Sequence, residues 1–65
     1  MKKFIKTTDN AYSYINVDFI MRIDYTPIEN RWEQYKDDPA DVIMANGFVY
    51  KISNEDAKML LKEEK

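Results

Sequence analysis

Val42-Ile43-Met44-Ala45-Asn46-Gly47-Phe48-Val49-Tyr50-Lys51-Ile52 is the stretch that decides the fold. Asn-Gly between two apolar-rich runs is the strongest short-range mark of a β-hairpin closed by a type I′ turn. It predicts paired antiparallel strands at residues 41–45 and 48–52. A strand pair needs a covering layer, and residues 53–65 supply one. Ser53 or Asn54 stands at a helix N-cap position, and Glu55 and Asp56 sit where the helix dipole favours acid. Ala57, Leu60 and Leu61 form an apolar stripe, and Lys62 and Lys65 lie towards the end that favours cations.

Working back towards the N-terminus, Thr8-Asp9-Asn10-Ala11 is a second turn, because Asp and Asn cap their own backbone. Its flanks, 2–7 and 11–16, are rich in aromatic and β-branched residues and predict a further hairpin. Tyr12, Tyr14 and Asn16 fall on one face of the second strand; Ser13, Ile15 and Val17 fall on the other. Asn16-Val17-Asp18 turns the chain. Phe19, Met21, Ile23 and Tyr25 then alternate with Ile20, Arg22 and Asp24, which predicts a third strand with one apolar face.

The period changes at Thr26-Pro27-Ile28-Glu29. Thr at N-cap, Pro at the first helical position and Glu at the third form a capping-box arrangement. Ile28, Trp32 and Tyr35 recur at the spacing of one helical face. Asp37-Asp38-Pro39 ends the pattern, since Pro disfavours helix at the preceding residue. A short helix over 27–36 is expected; an irregular loop is the alternative, because ten residues form a marginal helix unless packed. The order β-β-β-α-β-β-α describes an α+β domain over residues 1–65. It has a small antiparallel sheet of about five strands, in two hairpins plus a connecting strand, with an inserted and a C-terminal helix.

Composition excludes several function classes. The chain has 65 residues, no Cys and no His. Disulfides, thiolate nucleophiles, Cys or His metal sites and the commonest general base are therefore absent. A domain this short has little core and no staple, so packing or self-association must stabilise it. One glycine is too few for a phosphate cradle. Asp37, Asp38 and Asp41, with Glu33 one turn earlier, lack the spacing of a calcium loop and read as a solvated acidic loop. No catalytic residue, cofactor site or metal site is expected. No apolar run approaches the ~20 residues that span a bilayer. The lack of Cys fits a reducing cytoplasm.

Charge is unevenly spread. Residues 1–23 carry Lys2, Lys3, Lys6 and Arg22 against Asp9 and Asp18, a surplus of +2. Residues 24–41 carry six acids against Arg31 and Lys36, a surplus of −4. Tyr12 and Tyr14 with Lys2, Lys3 and Lys6 could stack on single-stranded nucleic acid. The acidic middle and the net charge of −2 oppose that reading. Residues 26–40 are thus an acidic insertion that carries Ile28, Arg31, Trp32 and Tyr35. Trp, Tyr and Arg are the residues enriched at interface hot spots. Trp32 either closes the domain's own core or anchors a contact with a partner.

Tyr14-Ile15-Asn16-Val17-Asp18-Phe19-Ile20-Met21-Arg22-Ile23-Asp24 resembles the strand, Asn-x-Asp turn and strand of small bacterial flagellar and swarming-motility accessory proteins. Met44 to Ser53, followed by Asn54-Glu55-Asp56-Ala57, resembles their Asn-Gly hairpin and closing helix. Residues 26–40 stand where that family has a tight connection. The resemblance implies the sheet-plus-helix architecture and a bacterial or phage cytoplasmic setting, with a motility accessory role as one function. The residues themselves point to a small non-enzymatic binding module that contacts another protein and forms a homo-oligomer, a dimer first. The contact would combine sheet-edge pairing with docking of the Ile28, Trp32 and Tyr35 face. A small phage-type inhibitor that mimics an acidic surface or sequesters a small nucleotide is a further alternative.

Overall fold

Alternating burial along Ala40–Met44 builds the centre of the molecule: Ala40, Val42 and Met44 are buried, while Asp41 and Ile43 are half-buried. In the computed structural model, which describes residues 3–62, this segment is the fourth of five strands. The order is β1 (Phe4–Lys6), β2 (Tyr14–Asn16), β3 (Ile20–Asp24), β4 (Ala40–Met44), β5 (Val49–Ile52) and α1 (Asn54–Lys62). This is the expected small α+β fold. The strands divide into two antiparallel sheets, β1-β2 and β3-β4-β5. Between them, the backbone N–H of Thr8 donates to the Lys51 carbonyl at 2.8 Å. Strands of three residues are too short to carry a longer ladder across that junction. Lys2 and Lys65, assigned above to a strand and a helix end, lie outside the described residues.

The turn between β4 and β5 differs from the expected type I′. Met44 and Phe48 close a three-residue loop: the Met44 N–H donates to the Phe48 carbonyl at 2.8 Å, and the Gly47 N–H donates to the Met44 carbonyl at 2.8 Å. Among the described residues Gly47 alone has positive φ, at 91°. A type I′ turn needs positive φ at both central residues. Asn46 instead keeps a negative φ, and its Oδ1 accepts the Phe48 N–H at 3.0 Å. Gly47 therefore occupies the left-handed position that follows the turn, as in three-residue hairpins with a glycine bulge.

The third strand also departs from simple alternation. Ile20 pairs with Met44 and Arg22 with Ile43, so Met21 is an extra residue in a β-bulge. The bulge puts Ile20 and Ile23, three apart, against the core, and Tyr25 joins them. Phe19 and Met21, expected on that apolar face, are exposed instead. Phe19 ends a 3₁₀ turn, Val17–Phe19, capped by Asn16, whose Oδ1 accepts the Asp18 N–H at 2.9 Å.

Ile5, Ile15, Ala40, Val42, Met44, Ile52 and Ala57 form one buried cluster that draws on both sheets and the helix. Ser53 caps α1, its Oγ accepting the Asp56 N–H at 3.1 Å. Ala57 is buried, with Met59 and Leu60 packed beside it; Leu61, expected in the stripe, is exposed.

Residues 26–40 form no α-helix. Two 3₁₀ turns, Ile28–Asn30 and Glu33–Tyr35, are separated by Arg31 and Trp32 in extended conformation. Pro27 stands at the N-cap of the first turn, with no side-chain cap. The capping box does not form: the first turn has no side-chain cap, and the Thr26 carbonyl accepts from Arg31 Nε at 2.6 Å. With Ile28 only half-buried, packing does not rescue so short a helix.

Candidate partner-binding surface

Arg31 organises the insertion. Besides Thr26, its guanidinium donates from Nη1 to the carbonyls of Tyr35 at 3.2 Å, Lys36 at 3.4 Å and Asp38 at 2.8 Å. Nη2 donates to Asn54 Oδ1 at 2.9 Å, and the guanidinium carbon stands 5.4 Å from the Tyr25 ring centroid. A planar fork with five donors suits this gathering of carbonyls, and a lysine could not reproduce it. The insertion is thereby fixed to Tyr25, just past the end of β3, and to the first turn of α1 without regular secondary structure.

A groove of about 340 Å³ opens beside this clasp, lined by Trp32, Tyr35, Pro39, Asp24, Asp38 and Arg31 among others. Trp32 is 79% exposed and Tyr35 48% exposed. Trp32 therefore does not close the core, which settles the alternative in favour of a surface position. Of the four residues singled out by sequence, Arg31, Trp32 and Tyr35 meet at the groove. Ile28 does not line it, because the break at Arg31 and Trp32 destroys the shared helical face.

The charges around the groove are unequal. Asp24 is held by Arg22 in a two-point contact, Nε to Oδ1 and Nη2 to Oδ2, each at 3.0 Å. That hydrogen bonding keeps the Asp24 carboxyl below the usual carboxylate range. Asp24 lies opposite Asp41 in the β3-β4 register, a like-charge pairing that disfavours a sheet by itself. Lys51 offsets it across the next strand, with Nζ 2.8 Å from Asp41 Oδ1, and this contact raises the Lys51 pKa. Lys36 pairs with Glu33 at 3.4 Å. The carboxylates of Asp37 and Asp38 make no ion pair among the described residues, and both residues are exposed.

A second aromatic surface lies on the first hairpin. The register pairs Phe4 with Asn16, Ile5 with Ile15 and Lys6 with Tyr14. Ile5 and Ile15 point into the core, so Phe4, Lys6 and Tyr14 point outward, and all three are exposed. Tyr12, at the loop, is 92% exposed. Of one Trp, five Tyr and three Phe, only Tyr25 and Tyr50 are even half-buried.

Among the described residues no three Asp, Glu, His or Cys side chains gather as a metal site would require, and no helix is long and apolar enough to cross a membrane. Sequence reasoning missed the clasp, since an arginine within a helix-like pattern reads as surface charge. It also missed the Asp24–Asp41 opposition, which depends on the bulge. The chain matches no family model, no curated protein and no solved structure.

Proposed function

We propose that this chain is a small non-enzymatic binding module that acts by protein–protein contact and self-associates. The supporting observation is Trp32, a large aromatic held out to solvent on a segment that Arg31 pins with five hydrogen bonds. An exposed aromatic on a preorganised loop loses little entropy on docking. It belongs to the side-chain class that dominates interface energetics. Isolated exposed apolar residues are ordinary, but exposed aromatics on two surfaces of so small a chain are not. Co-purification of tagged and untagged copies, repeated with Trp32→Ala, tests the reading. Retention by the parent and loss by an equally stable variant are expected; equal retention by both contradicts a Trp32-centred contact.

A further inference from the structure

We infer that the occupant of the acidic aromatic groove is a second copy of this chain, which presents the outward face of its β1-β2 hairpin. The inference rests on the binding-module reading and assigns its partner. The two surfaces are complementary in charge. The groove has Trp32 and Tyr35 beside Asp24 and Asp38, within a segment whose surplus is −4. Its one lining cation, Arg31, keeps its charge but has its donors taken by four backbone carbonyls and Asn54; Asp24 is paired with Arg22, so Asp38 is the lining carboxylate that makes no ion pair among the described residues. The hairpin face carries Phe4, Tyr14 and Lys6 with no carboxylate, within a segment whose surplus is +2. Lys6 makes no ion pair among the described residues, whereas nearby Lys3 is 3.6 Å from Asp18. An ammonium directed at the Trp32 face, with Asp38 adjacent, would combine cation–π and ionic attraction.

The hairpin has its own reason to be covered. Two strands of three residues are marginal when only one face is buried. A twofold pair makes the groove–hairpin contact twice. Phe4, Tyr14, Trp32 and Tyr35 from both copies then supply a buried area on the order of 1,000 Å², the size a specific interface needs.

A charge exchange tests this by sedimentation velocity from micromolar to millimolar concentration, with far-UV circular dichroism confirming folding. Lys6→Glu and Asp38→Lys, made separately, should each weaken association about tenfold or more, since opposed like charges at both contacts replace attraction. Lys6→Glu combined with Asp38→Lys should restore association to near the parental level. Where Asp38→Lys impairs folding, Asp38→Asn takes its place, and the weakening it causes should vanish in a Lys6→Gln background. Association that both single variants leave unchanged, or that the combination fails to restore, overturns the groove–hairpin pairing but leaves self-association standing. A parent chain that stays monomeric yet captures a different protein through Trp32 overturns this inference and self-association with it, and preserves protein–protein contact as the function. A monomer that captures nothing overturns both.

Discussion

Arg31 Nη2 lies 2.9 Å from Asn54 Oδ1, and this bond ties the acidic insertion to the first residue of α1 across 23 positions of sequence. The same guanidinium holds four carbonyls from Thr26 to Asp38. Arg31 thus shapes the groove it lines through the backbone it gathers. Arg31→Ala should lower unfolding stability by about 1.5–3 kcal/mol, the size expected when hydrogen bonds to a charged group are lost. In so small a domain that corresponds to a fall in melting temperature of about 10 °C or more. Arg31→Lys should recover little, because an ammonium cannot reach the carbonyls in a fork. Denaturant titration of both variants checks this; a lysine variant as stable as the parent would remove the clasp.

Gly47 offers a backbone test without steric complication. Its φ is +91°, and a Cβ built there would meet nothing within 4 Å. Any cost of substitution is therefore conformational. Gly47→Val should cost about 1–3 kcal/mol, the range for a non-glycine residue held in left-handed backbone. Gly47→Asn should cost clearly less, since Asn tolerates that region. Equal melting temperatures for the parent and the valine variant would show that the hairpin does not need the glycine bulge.

The pair Arg22–Asp24 sets a pH dependence. Hydrogen bonds from Arg22 hold the folded-state pKa of Asp24 below its unfolded value. The stability this contributes is present above the unfolded pKa and is lost as pH falls through the folded one. Asp24→Asn should therefore flatten the acid limb of the melting profile, with parent and variant converging at low pH. Lys51 has the opposite sign: Asp41 raises its pKa, so its contribution is present below the unfolded value and lost as pH rises through the folded one. Asp41→Asn should flatten the alkaline limb. An unchanged acid limb in Asp24→Asn would contradict the first assignment.

Which elements sequence could reveal follows from how local their causes are. The β4-β5 hairpin and the Ser53 cap were legible because Asn46-Gly47 and Ser53 act on residues within a few positions. The turn type was not, because it depends on whether Asn46 joins Gly47 at positive φ. The bulge at Met21 was hidden in the apolar run Phe19-Ile20-Met21, where nothing marks the extra residue. The insertion satisfied a helix template in its Thr26, Pro27, Glu29, Trp32 and Tyr35 spacing. The deciding interaction lay elsewhere, in the reach of Arg31 to Asp38 and Asn54. Trp32, Tyr35 and Arg31 still come together at one groove, although the helix that was to align them does not form.

Trp32 is the one tryptophan of the chain, and its exposure makes its emission a direct report of docking. Trp32→Ala should leave the melting temperature of the dilute protein nearly unchanged, because the side chain covers no core. Sedimentation velocity from micromolar to millimolar concentration, with tryptophan emission recorded on the same samples, is the most direct test of self-association through this surface. Mass should rise above 7.8 kDa with concentration while the emission shifts to the blue, and Trp32→Ala should stay monomeric throughout. A species of constant monomer mass, or one that grows in mass while Trp32 stays in water, would contradict it.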